Sequence, residues 1–178
     1  MFIVTEYLLE NQCVFICIRE YLCPECKEGN LIFHDYCKRI VRHEDGESEW
    51  IRIPRHQCDN PRCRKLHRML PDFLVPFKHY LEDVISDAIN DRLNLELIDE
   101  APSPATIRRW KRWILINQTD IDGQLKSVGH RELDYSEELL KSGVSLLKKL
   151  MCSIPCGWLR TILCMIFNSG GRLIPVYA

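Results

Sequence analysis

The chain has 178 residues, 46% of them hydrophobic and 28% charged, with a formal net charge of -1. That composition excludes a disordered chain, and the near-zero total excludes nucleic-acid binding driven by net charge alone. The charge is segregated, however. Residues 38–68 hold nine basic against five acidic side chains, 80–102 one against seven, 103–116 four against none, and 141–178 five against none.

Residues 1–18 alternate apolar and polar positions loosely (FIVTEYLL, then VFICI), which predicts a strand or short helix packed on the next segment. The first residues lack the basic start and small-residue cleavage site of a secretory signal, so a reducing, cytoplasmic setting is expected. In that setting the ten cysteines read as metal ligands or packing residues before disulfides.

Residues 19–70 contain short strand-like runs, Leu31-Ile32-Phe33 and Trp50-Ile51-Arg52-Ile53, broken by Gly and Pro. Two cysteine pairs flank them. Cys23-Pro24-Glu25-Cys26 is one half-site and Cys58-Asp59-Asn60-Pro61-Arg62-Cys63 the other. Short spacing lets both thiolates of a turn converge on one ion, and two such turns complete the tetrahedron that zinc accepts. The intervening residues are long enough for a hairpin that returns the second turn to the first. One structural zinc on Cys23, Cys26, Cys58 and Cys63 is the reading. His34, Cys37, His56 and His67 lie close enough in sequence to replace a ligand, His67 best of the four. Cys13, Cys17, Cys152, Cys156 and Cys164 are assigned to packing. A Cys-Pro-x-Cys redox motif and inert buried thiols remain the competing readings of the first pair.

Residues 72–116 read as helical. Val84, Ile85, Ala88, Ile89 and Leu93 recur at helix spacing in a segment of about Tyr80 to Leu97, Asp99 to Pro102 form a turn, and a second helix follows Ser103. Ser103 suits an N-cap and Pro104 the first helical position. Ile107, Trp110 and Ile114 fall on one face, with Ala105, Arg108, Arg109 and Arg112 opposite. This is the pattern of a recognition helix, with Ser103, Thr106, Arg108, Arg109 and Arg112 as candidate DNA contacts. A solvated basic face that balances the acidic helix is the plainer alternative. From residue 117 the sequence predicts a polar connection, then a helix around Glu137 to Met151 and an apolar C-terminal segment turning at Gly170-Gly171. Leu150 to Phe167 is too short and too interrupted, by Pro155 and Arg160, to predict a membrane span.

Taken together the chain is expected to be α+β: a zinc-ribbon-like β module over residues 1–72, then a mainly helical region over 73–178 with a helix-turn-helix at about 80–116 and apolar C-terminal helices. Cys-Pro-x-Cys, the run Ile51 to Cys58, Cys63, Leu66-His67 and Leu70-Pro71-Asp72-Phe73, with Pro76 and Tyr80 after them, resemble a short bacterial zinc-ribbon family described as transposase-like. Ser103, Thr106, Ile107 and Trp110 resemble the helix-turn-helix of insertion-sequence proteins. The resemblance implies a zinc-binding, DNA-binding accessory or regulatory protein of a mobile element, not an enzyme. Double-stranded DNA is its expected partner, with a second copy or a transposition protein beside it. A zinc-ribbon protein-interaction module and a CxxC thiol redox protein are the alternatives.

Overall fold

The computed structural model describes residues 1–17, 20–43, 46–93, 102–133 and 136–175. Strands β1 (Phe2–Val4), β2 (Tyr7–Glu10), β3 (Cys13–Ile16), β4 (Leu31–Arg42), β5 (Ser48–Cys58) and β6 (Leu66–Pro71) form one six-stranded sheet. Helices α1 (Glu82–Ile89), α2 (Pro104–Leu133), α3 (Glu137–Lys141), α4 (Leu146–Ser153) and α5 (Trp158–Asn168) follow. The fold is α+β. No helix among the described residues is long and apolar enough to cross a membrane.

The β4–β5 hairpin organises the sheet. It pairs antiparallel from Leu31↔Cys58 to Arg42↔Ser48, with a bulge between Phe33 and Asp35. Side chains alternate across a strand, so Val41, Ile51 and Ile53 point into the main core while Arg42, Trp50 and Arg52 face out. β6 pairs antiparallel with β5 and parallel with β1; the β2–β3 hairpin joins β5 through Cys13↔Arg52. The main core draws on both halves of the chain: Ile3, Ile51 and Leu70 pack in one cluster with Ile85, Trp110, Leu125, Trp158 and Ile162.

The helical boundaries differ from the sequence expectation. Residues 72–81 are turns and bridges, because Tyr80 bridges to Arg42, Leu74 bridges to Leu81, and Phe77 takes a positive φ of 62°. α1 ends at Ile89, where Asp91 turns left-handed (φ 57°), so Leu93 lies outside it. The expected turn at Asp99 to Pro102 falls largely outside the described residues, as does the expected helix end at Leu97. α2 starts as expected, with Ser103 Oγ accepting from the Thr106 N–H at 3.3 Å. It does not stop at residue 116. Trp110, Ile114, Asn117, Ile121, Leu125 and Val128 are all buried, a stripe at three- and four-residue steps that carries the helix through the stretch read as a connection. α5 closes with Gly170 at φ 87°; Gly170 N–H donates to Phe167 O and Gly171 N–H to Ile166 O. That is the Schellman arrangement, which favours glycine at the left-handed position.

Candidate metal centre and basic cleft

The hairpin sets the cysteine geometry. The first turn, Cys23 to Cys26, leads into β4; the second, Cys58 to Cys63, leaves the end of β5. Pairing Leu31 with Cys58 therefore puts both turns at one end of the ladder. Their backbones are stitched together: Asp59 N–H donates to Asn30 O (3.0 Å) and Asn30 N–H to Asp59 Oδ1 (2.8 Å). Each turn is followed by a residue in the left-handed region, Lys27 (φ 59°) and Arg64 (φ 49°).

All four ligand sulfurs lie within 4.8 Å of one another. Cys23 Sγ is 3.8 Å from Cys63 Sγ, and Cys26 Sγ is 3.6 Å from Cys58 Sγ. A tetrahedron with metal–sulfur arms of ~2.3 Å has edges of about 3.8 Å, so the set fits a metal ion. The spacing is far beyond a disulfide's ~2.05 Å. The short approaches run between the turns, as a shared ion requires. Gly29 N–H points at Cys26 Sγ (3.5 Å). Backbone N–H groups of Glu28 and Gly29 pull the Cys26 thiol down to about 7, whereas burial pushes Cys58 up to about 12 and raises Cys23.

His67 is buried with Nε2 at 3.5 Å from Cys23 Sγ, and its Nδ1 meets the Met1 ammonium at 3.3 Å. It stands beside the four-sulfur group as a hydrogen-bond partner. Burial holds it down at about 4, in the neutral form. His34 is exposed beside Asp35, and Cys37 is packed against the main core. Of the cysteines assigned to packing, Cys13 is buried and Cys164 half-buried. Cys17, Cys152 and Cys156 are instead exposed, because they lie in the turn after β3, on the outer side of α4 and in the turn before α5.

A second feature joins two basic stretches that are separate in sequence. Arg42 of β4, Lys78 and His79 of the following turn, and Thr106 and Arg109 of α2 line one cleft of about 360 Å³ with Phe77, Tyr80 and Trp110. None of these lining residues is acidic. The Arg42 guanidinium lies 5.5 Å from the Tyr80 ring centre, and Lys78 Nζ 4.7 Å from that of Trp113. Burial and then Arg109 lower Lys78; burial and then Arg39 and Arg42 lower His79. Among the described residues, the charges that act on Lys78 and His79 are other cations. Arg39 anchors the wall, donating to Val75 O at 2.7 Å and to Lys78 O.

The DNA contacts expected from the sequence sit at the start of α2. Arg108, Arg109 and Arg112 are exposed there with Ala105. Ser103 and Thr106 are engaged locally: their hydroxyls meet at 3.0 Å, and Arg109 donates to Thr106 Oγ1 at 3.1 Å. Trp110 and Ile114 face the core, as the wheel predicts. Sequence reasoning did not find the cleft, since Lys78 and His79 carry no motif and reach α2 only through the fold.

Residues 23–110, just under half of the chain, match a family described as "Domain of unknown function (DUF6431)". The match spans both cysteine turns, the cleft residues of β4 and the 78–80 turn, and the first two turns of α2. No curated protein and no solved structure matches the chain.

Proposed function

We propose that the chain is a zinc-stapled DNA-binding protein with no catalytic chemistry of its own. The observation that carries the reading is the cleft, where Arg42, Lys78, His79 and Arg109 converge from three segments. Its field continues outward over Arg108 and Arg112. A polyanionic backbone is the ligand that such a surface attracts. Tetrahedral sulfur-only chemistry supports zinc as the ion. Zinc brings no redox chemistry, and its place at the base of the β4–β5 hairpin makes it a staple for the strand that supplies Arg42. Helix α2 lying on α1, with arginines outward at its start, supports reading this pair as a helix-turn-helix. The link to mobile elements rests on the sequence resemblance alone.

Anisotropy of a labelled duplex, titrated with zinc-loaded protein across a salt series, tests this. Affinity should fall linearly with salt on logarithmic axes, with slope about -0.9 per phosphate neutralised. Replacing Arg108, Arg109 and Arg112 together by Ala should flatten that slope by up to about three contacts' worth. Absence of duplex binding at low salt would sink the reading.

A further inference from the structure

We infer that the outer face of the β4–β5 ladder is a platform on which unpaired bases of a single nucleic-acid strand stack, running into the basic cleft. This rests on the DNA-binding reading and names the form of nucleic acid that this face takes.

The register decides which side chains share the face. Tyr36↔Pro54, Lys38↔Arg52, Ile40↔Trp50 and Arg42↔Ser48 are direct partners, and direct partners project to the same side. The alternate positions, Val41, Ile51 and Ile53, fill the core. The bulge between Phe33 and Asp35 brings Phe33 round to this side, where its ring centre lies 5.1 Å from that of Tyr36. The face is thus closed off from the core, and its positions other than the buried Pro54 reach solvent. Trp50 is 57% exposed, Phe33 51% and Tyr36 37%.

Large aromatic rings left in water at mid-strand forgo the stabilisation that burial would bring. Cations stand between them here. Arg52 lies 5.9 Å from the Tyr36 ring centre, Lys38 is its strand partner, and Arg42 at the far end reaches Tyr80 on the cleft. No outward position of β4 or β5 from Phe33 to His56 holds a carboxylate. Glu10, on the neighbouring β2–β3 hairpin, lies at one edge, and Glu20 and Asp59 line a cavity with Phe33 and His56 at the other end. A protein partner's apolar surface would leave these cations unpaired. A duplex hides its base faces. A single strand offers both a phosphate backbone and open π faces, and it is the partner that such an alternation fits. From Tyr36 to Arg42 the track spans about 20 Å at ~3.4 Å per residue.

The test compares a labelled oligothymidylate of about a dozen nucleotides with a blunt duplex of equal length, using zinc-loaded full chain. The probed variants are Tyr36→Ala/Trp50→Ala, its conservative partner Trp50→Phe, and Arg109→Ala. The double variant, which removes two stacking rings, should bind the strand at least about thirtyfold more weakly, with duplex affinity and thermal stability nearly unchanged, and Trp50→Phe should retain most strand affinity. Strand binding that the double variant leaves intact would overturn the platform, as would duplex binding with no strand binding. Either result leaves the DNA reading standing if Arg109→Ala still weakens duplex binding. Binding of neither probe would remove both.

Discussion

Asn168 presents both ends of its side-chain amide to the backbone of Ile3: Ile3 N–H donates to Oδ1 at 2.7 Å, and Nδ2 donates to Ile3 O at 2.9 Å. The amide stands in for a neighbouring strand along β1, whose other edge is paired with β6. The last residue of α5 is thereby tied to the first strand across 165 positions of sequence. Asn168→Ala should cost roughly 2–3 kcal/mol in urea unfolding, since two buried backbone groups lose their partners. Asn168→Asp should cost no less, because it leaves Ile3 O facing a second acceptor. A variant as stable as the parent would show that water replaces the amide freely.

Gly29 and Gly123 predict opposite outcomes for the same change. A Cβ on Gly29 would lie 2.5 Å from Cys58 Sγ and 2.7 Å from Asp59 Oδ1. Gly29→Ala must therefore displace a metal-binding sulfur or separate the two turns. Competition with a chelator should show metal affinity at least tenfold weaker. Gly123 lies inside α2, and a Cβ there would meet nothing within 4 Å. Gly123→Ala should raise stability by about 0.5–1 kcal/mol, through helix propensity alone, with metal affinity unchanged.

Glu82 gives a pH signature. It is buried at the start of α1, and burial holds its carboxyl above the ordinary range. Arg160 pulls the other way, through its backbone N–H at 3.2 Å from Oε1 and its guanidinium at 3.8 Å from Oε2. A carboxyl whose pKa is higher folded than unfolded stabilises the fold fully below the unfolded value, and that contribution is lost as pH rises through the folded value. Glu82→Gln cannot lose it, so the variant should gain on the parent as pH rises from about 4 to 7. Arg160→Ala at pH 7 should cost roughly 2 kcal/mol, less than a fully buried pair because the guanidinium is 45% exposed. Chemical denaturation at both pH values measures each. A Glu82→Gln variant that loses ground with rising pH would reverse the assignment.

The cysteine centre is readable in the sequence because each half of it is local. Two residues of one turn announce themselves by spacing, and the hairpin between them needs only strand-like runs. The course of α2 is harder to read because its buried stripe beyond Ile116 is sparse. Asn117, Ile121, Leu125 and Val128 are separated by Asp120, Asp122 and Gly123, which read as a connection until the helix is seen to bury one side only. Asn117 itself looks polar, yet it is buried, bonding Trp113 O and both backbone groups of Ile174. The Asn168–Ile3 pairing and the cleft have no local signature at all. They are products of chain segments that meet only after the sheet and helices pack.

Removing the metal should separate the two clusters of buried residues. The smaller cluster, Phe2, Val4, Cys23, Leu31, Cys58 and Met69, is built on two of the ligands themselves. The larger one, through Ile53, Trp110, Leu125 and Trp158, contains none of them. A structural zinc site supplies about 10–16 kcal/mol of apparent binding energy, whereas the four members that are not ligands, Phe2, Val4, Leu31 and Met69, contribute only about 1.5–3 kcal/mol each by burial. Chelation should therefore abolish hydrogen-exchange protection first at residues 23–31 and 58–66, and more slowly over α2 and α5. Cys58→Ser should reproduce that pattern without a chelator. Cys17→Ser and Cys152→Ser, at exposed thiols, should leave metal content at one ion per chain and change stability by no more than about 0.5 kcal/mol. Uniform protection in the chelated protein would mean that the sheet stands without its staple, and the ion's role would then have to lie at the surface it reaches.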